Sequence, residues 1–127
     1  MSRLVITALF FTFCTYFIAA AAQSAITGEV VDSEGAAIAN ARVLIHWDSA
    51  GSTVGLSDNI GIKQDLVVTT DASGRYSASV PAGFYDVFVS QMAFTPTAAK
   101  VRVKHAQSVE LYVVLKPDPL VSRELAH

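Results

Sequence analysis

The chain has 127 residues, nine basic against eleven acidic side chains, a net charge of −2 and one cysteine. A mildly acidic balance argues against a nucleic-acid partner, because phosphate binding needs a basic surface. A single cysteine excludes a disulfide framework.

The N-terminus reads as an export signal. Arg3 supplies one positive charge, and Leu4 to Ala22 then run without a charge, "LVITALFFTFCTYFIAAAA". The alanines and the following "QSA" offer small-residue cleavage positions after Ala22 or Ser24. A retained membrane anchor is the alternative, since a run of about 18 apolar residues can span a bilayer. Three threonines and a cysteine dilute the run and no basic cluster follows it, which favours cleavage. Residues 1–24 are therefore assigned to a signal segment, residues 25–116 to one domain and residues 117–127 to a Pro-containing tail. Cys14 falls inside the signal, so the exported domain has no thiol and must be held by core packing alone. The predicted location is secreted, periplasmic or cell envelope, with membrane contact only through an uncleaved N-terminal segment.

Beyond the signal, short alternating runs are cut by turn residues, the pattern of an all-β sandwich. "ITGEVVD" (Ile26 to Asp32) is the first expected strand and is ended by the turn "DSEG". "ARVLIHWD" (Ala41 to Asp48) is the second, with Ala41, Val43, Ile45 and Trp47 on the core face and Leu44 and His46 outside. "DLVVTTD", "RYSASV", "FYDVFVS", "AKVRVKH" and "VELYVVLK" supply five more, giving a seven-stranded antiparallel β-sandwich. Parity sends Tyr85, Val87, Val89, Val101, Val103, Val109, Leu111, Val113 and Leu115 inward. Between the second and third strands lies a Gly-, Ser- and Asp-rich connection, Ser49 to Gln64, longer than most loops and so a candidate functional element.

"TTDASGRY" has the look of an acidic Gly-rich site. Asp71 and Gly74 nevertheless stand where a turn needs a side-chain acceptor and a permissive backbone. A calcium loop needs oxygen donors on alternate residues, and Ala72 breaks that rhythm. Pro81 and Gly83 form the next corner.

These corners carry a resemblance. "ITGEVVDSEGAAIANARVLI", then "TTDASGRYSASVPAGFYDVFV" and a closing "SVELYVVLK", resemble the carboxypeptidase regulatory-like domain, a transthyretin-like β-sandwich, over the chain as far as Lys116. The resemblance implies a binding or structural role. The expectation for this chain is an exported, non-catalytic binding module whose partner is an extracytoplasmic protein or a carbohydrate, or else a structural envelope or surface protein. This sequence departs from the pattern in the long Ser49 to Gln64 insertion and in "KHAQSV", where a glycine is more usual.

No catalytic residues emerge. His46, His105 and His127 are isolated from one another, and no nucleophile elbow, P-loop or dinucleotide fingerprint is present. No cofactor is implied. Asp48, Asp58, Asn59 and Asp65 border the long loop and form a weak candidate calcium site of hard oxygen donors; the alternative is that they act as turn formers and solubilising charges. For partner contact, Phe88, Arg102 and Tyr112 stand out, with Lys100, Lys104 and Val114 expected on the same sheet surface. The competing expectation is a solvated face on which Lys104 and Glu110 pair across a hairpin.

Overall fold

The computed structural model describes residues 24–50 and 59–121. Residues 1–23, on which all but the last residue of the expected signal segment falls, the middle of the long loop with its Asp58, and the end of the tail lie outside the described residues. Seven strands are present: β1 (Ala25–Asp32), β2 (Arg42–Trp47), β3 (Leu66–Thr69), β4 (Arg75–Ser79), β5 (Gly83–Ser90), β6 (Thr97–Val103) and β7 (Ser108–Leu115). Each expected strand is found within about two residues of its place.

The strands form two layers. One sheet has the order β4-β1-β7 and the other β3-β2-β5-β6. All pairings are antiparallel except one: β7 runs parallel to β1, with Ala25 opposite Ser108 and Asp32 opposite Leu115. Alternation of apolar residues carries no information about strand direction, so the sequence did not disclose this exception. Its cause is the β6–β7 connection, which crosses from one sheet to the other instead of forming a hairpin. Ala106 adopts φ +60° in that connection, the conformation for which a glycine is more usual.

Between the layers lies a core with Ile26, Val30, Val43, Ile45, Tyr85, Val87, Val89, Val103 and Leu115 all essentially inaccessible. Burial of each such aliphatic side chain is worth about 1.5 to 3 kcal/mol. Two tyrosines enter this core with their hydroxyls satisfied. Tyr76 donates to the carbonyl of Leu111 at 2.9 Å, and Tyr85 to that of Pro81 at 2.6 Å. Burial pushes both phenols up to about 12. Gly28 lies beneath the first of these bonds; a methyl group there would stand 1.9 Å from the Leu111 carbonyl oxygen and 2.7 Å from the Tyr76 hydroxyl.

The D-x-x-G stretches are corners built alike. One carboxylate oxygen of Asp32 accepts the N–H groups of Glu34 and Ala36. That of Asp71 accepts the N–H groups of Ser73 and Arg75 and the Ser73 hydroxyl. The hydroxyl bond from Ser73, followed by the backbone bond from Arg75, holds the Asp71 carboxyl below its usual value. The second corner also changes layer, because β3 belongs to the four-stranded sheet and β4 to the three-stranded one. Beside it, buried Thr70 donates its hydroxyl proton to the Ile38 carbonyl and accepts the Ala41 N–H.

Candidate functional site

The outer face of the four-stranded sheet is assembled row by row from the register. Leu44 of β2 stands opposite Val67 of β3 and Phe88 of β5, and Phe88 stands opposite Ala98 of β6. An apolar row thus crosses the sheet from edge to edge, with Val67 43% and Phe88 42% exposed.

The adjoining row is charged. His46 of β2 faces Asp86 of β5, which faces Lys100 of β6. The Nδ1 of His46 lies 2.7 Å from the carboxylate of Asp65, just before β3. Lys100 contacts the carboxylate of Asp48 and lies 3.2 Å from that of Asp86. Three carboxylates therefore alternate with an imidazole and an ammonium group across one surface. The hydrogen bond and charge of Asp65 raise the His46 pKa, aided by Asp86 and Asp48; Asp48 and Asp86 raise that of Lys100. Further along, the Arg102 guanidinium lies 5.4 Å from the centre of the Phe84 ring, a cation–π contact.

The calcium candidates are distributed among different tasks. Asp48 engages Lys100, and Asp65 engages His46. Asn59 turns its carboxamide inward: its oxygen accepts the Trp47 indole N–H at 2.8 Å and the Phe84 N–H at 3.0 Å, while its nitrogen donates to the Asp48 carbonyl. Gly61, at φ +69°, passes so close to the Trp47 ring that a methyl group would meet it at 2.0 Å. Asp58 is outside the described residues. Among the described residues no group of three or more His, Cys, Asp or Glu could hold a metal ion.

The expected partner surface needs correction. Phe88, Lys100 and Arg102 share the four-stranded sheet, but Tyr112 and Val114 belong to β7 on the other sheet, so they face the opposite side of the molecule. The hairpin pairing of Lys104 with Glu110 falls for the same reason. Parity correctly places these side chains outward, yet it assigns a face within a strand and not a strand to a sheet. His46, expected to stand alone, is instead joined to Asp65. Their proximity follows from the β2–β3 register, which the long intervening loop conceals in the sequence.

Two depressions accompany these surfaces. One, of about 380 Å³, lies at an end of the sandwich among Ser24, Ile60, Val80, Pro81, Ala82 and His105. The second, of about 340 Å³, lies on the three-stranded sheet among Thr27, Gly28, Glu29, Arg75, Tyr76 and Glu110.

Two packed sheets with corners of this kind define a β-sandwich module. The family model of the carboxypeptidase regulatory-like domain matches residues 25–116. The chain belongs to that family, whose domains are regulatory-like and non-catalytic. Among solved structures, the Bacillus anthracis TIE protein is similar at a TM-score of 0.57 and 14% identity, over 75% of this chain and 16% of that one. The 3-chlorocatechol 1,2-dioxygenase of Rhodococcus opacus 1CP gives 0.54 and 15%, over 76% of this chain and 60% of the enzyme. Catechol 1,2-dioxygenase of Acinetobacter radioresistens gives 0.54 and 15%, over 76% and 52%. This chain thus spans less than two thirds of each of these proteins, and at such identities the likeness is one of fold. No curated protein sequence matches the chain.

Proposed function

We propose that the protein is an exported, non-catalytic binding module that holds an extracytoplasmic protein through the outer face of its four-stranded sheet. The observation that carries this reading is the apolar row Val67–Leu44–Phe88–Ala98, bordered by the alternating acidic and basic side chains of Asp65, His46, Asp86 and Lys100. An apolar strip rimmed by charge has the anatomy of a protein contact: the strip supplies burial and the rim fixes orientation. Export is supported by the uncharged run from Leu4 to Ala22 behind Arg3 and by the small residues that follow it.

Cross-linking in the native host, comparing the wild type with Phe88→Ser, tests the contact. Loss of the cross-linked partner in the variant is the expected result; its undiminished recovery removes this face from the reading. A structural envelope or surface protein tethered by an uncleaved N-terminal helix is the second reading, and it rests on the same apolar run. N-terminal sequencing of the fractionated protein separates the two: a start after Ala22 or Ser24 supports the exported module, and an intact Met1 or Ser2 supports the tether.

A further inference from the structure

The opposite side of the molecule has a different chemistry. On the outer face of β4-β1-β7 the register sets two rows of three side chains. Arg75, Glu29 and Tyr112 form one, and Ser77, Thr27 and Glu110 form the other. The 340 Å³ depression lies over these rows, with Thr27, Glu29, Arg75 and Glu110 in its lining. Tyr112 is outside that lining but directly across from Glu29 in the register, with 57% of its surface exposed.

Three features separate this face from an ordinary solvated sheet. Its side chains are hydrogen-bonding groups of several kinds, namely carboxylates, a guanidinium and hydroxyls, surrounding a concavity. The carboxylates of Glu29 and Glu110 take part in no ion pair among the described residues, whereas the ion pairs of the opposite sheet tie its acids to His46 and Lys100. The exposed aromatic residue next to Glu29 in the register, Tyr112, is a flat ring with a polar tip, which offers stacking area and a hydrogen bond together.

We propose that this face is a binding site for an oligosaccharide, separate from the protein contact on the four-stranded sheet. Tyr112 stacks against the C–H face of one sugar ring. Glu29 and Glu110 accept hydrogen bonds from hydroxyl or amino groups of the chain, and Arg75 donates to ring or hydroxyl oxygens. Two carboxylates against one guanidinium leave the site with a surplus negative charge. It therefore selects neutral or amino-bearing sugars and disfavours polyanionic ones.

Titration calorimetry of the purified protein with three hexamers provides the test: hexaglucosamine, cellohexaose and hexagalacturonate. Saturable binding is expected for the first two, with hexaglucosamine the tighter and hexagalacturonate the weakest. Tyr112→Ala should weaken binding at least tenfold and Tyr112→Phe much less, while Glu29→Gln and Glu110→Gln should reduce the preference for hexaglucosamine over cellohexaose. These side chains face solvent, so an unchanged melting temperature in each variant checks that the fold is retained. Phe88→Ser should leave sugar binding intact, which distinguishes failure of this site from failure of the protein contact. Absence of saturable binding to all three hexamers, a preference for hexagalacturonate, or binding insensitive to Tyr112→Ala would each overturn the proposal.

Discussion

The indole nitrogen of Trp47 donates to the side-chain oxygen of Asn59, and through this bond the far end of the long loop is fastened to the end of β2. The same oxygen receives the N–H of Phe84 at the start of β5. One carboxamide thus joins a loop and two strands. Asn59→Ala removes the acceptor of two partly buried donors, each costing about 1 kcal/mol or more when left unsatisfied. A loss of about 2 kcal/mol is expected in urea denaturation. Asn59→Asp keeps the acceptor for both N–H groups but sets a carboxylate oxygen against the Asp48 carbonyl, so it should also cost stability. With the Asn59 oxygen already engaged, calcium is expected to leave the melting temperature unchanged, which melts in calcium and in chelator will check.

The His46–Asp65 pair predicts a pH dependence. His46 has its pKa raised above 6.5 in the folded state, chiefly by the Asp65 hydrogen bond. The folded state therefore binds this proton more tightly than the unfolded chain does. The associated stability is fully present below pH 6.5 and is lost as the pH rises through the folded value. NMR titration of the His46 ring should show the raised pKa in the wild type and its return toward 6.5 in Asp65→Asn. A pKa unaffected by that substitution would show that the pair does not form in solution. Both groups are exposed, so the effect on global stability should be small and should shrink with added salt.

Across the inner face, Tyr76 reaches over Gly28 to the Leu111 carbonyl. Gly28→Ala places a methyl group against that bond and against the backbone of β7, and overpacking of this kind costs about 1 to 3 kcal/mol. Tyr76→Phe removes one hydrogen bond, worth about 1 kcal/mol. In ultraviolet titration Tyr76 and Tyr85 should ionise only near pH 12. Their neutral forms are favoured in the fold. Stability is accordingly retained below pH 10, where the unfolded phenols begin to ionise, and declines as the pH climbs toward 12.

Acid acts at the second D-x-x-G corner. The Asp71 carboxyl is held below its ordinary 3.8 by its bonds to Ser73 and Arg75. Its contribution is present above pH 3.8 and fades as the pH falls through the lowered value. Asp71→Asn should reduce this acid sensitivity, since an amide oxygen still accepts hydrogen bonds but does not titrate. Gly74→Ala should be the more damaging change at the same corner. Gly74 holds φ +76°, and a methyl group there would lie 2.5 Å from the Val30 carbonyl oxygen.

Much of this architecture was legible in the residue pattern. Alternation located the seven strands and placed Tyr85, Val87 and Val89 inward, because a buried sheet face imposes a strict period of two. The corners at Asp32 and Asp71 were legible because an aspartate followed three residues later by glycine satisfies a turn locally. Pairing across the molecule was not. Nothing local states that β7 lies beside β1, that Tyr112 faces away from Phe88, or that His46 meets Asp65. The role of Asn59 was hidden as well: in sequence it is one more polar residue of a loop, and only the position of the Trp47 indole makes its oxygen a structural acceptor.

The parallel pairing of β1 with β7 makes the first strand of the domain wait for the last. Until β7 is available, β1 has only β4 beside it, and its other edge exposes unpaired backbone. Contacts between chain ends so distant in sequence form slowly, because closure of the whole intervening chain must precede them. The four-stranded sheet needs only β2 to β6, so it is the three-stranded layer, and with it the closing of the sandwich, that depends on the final strand.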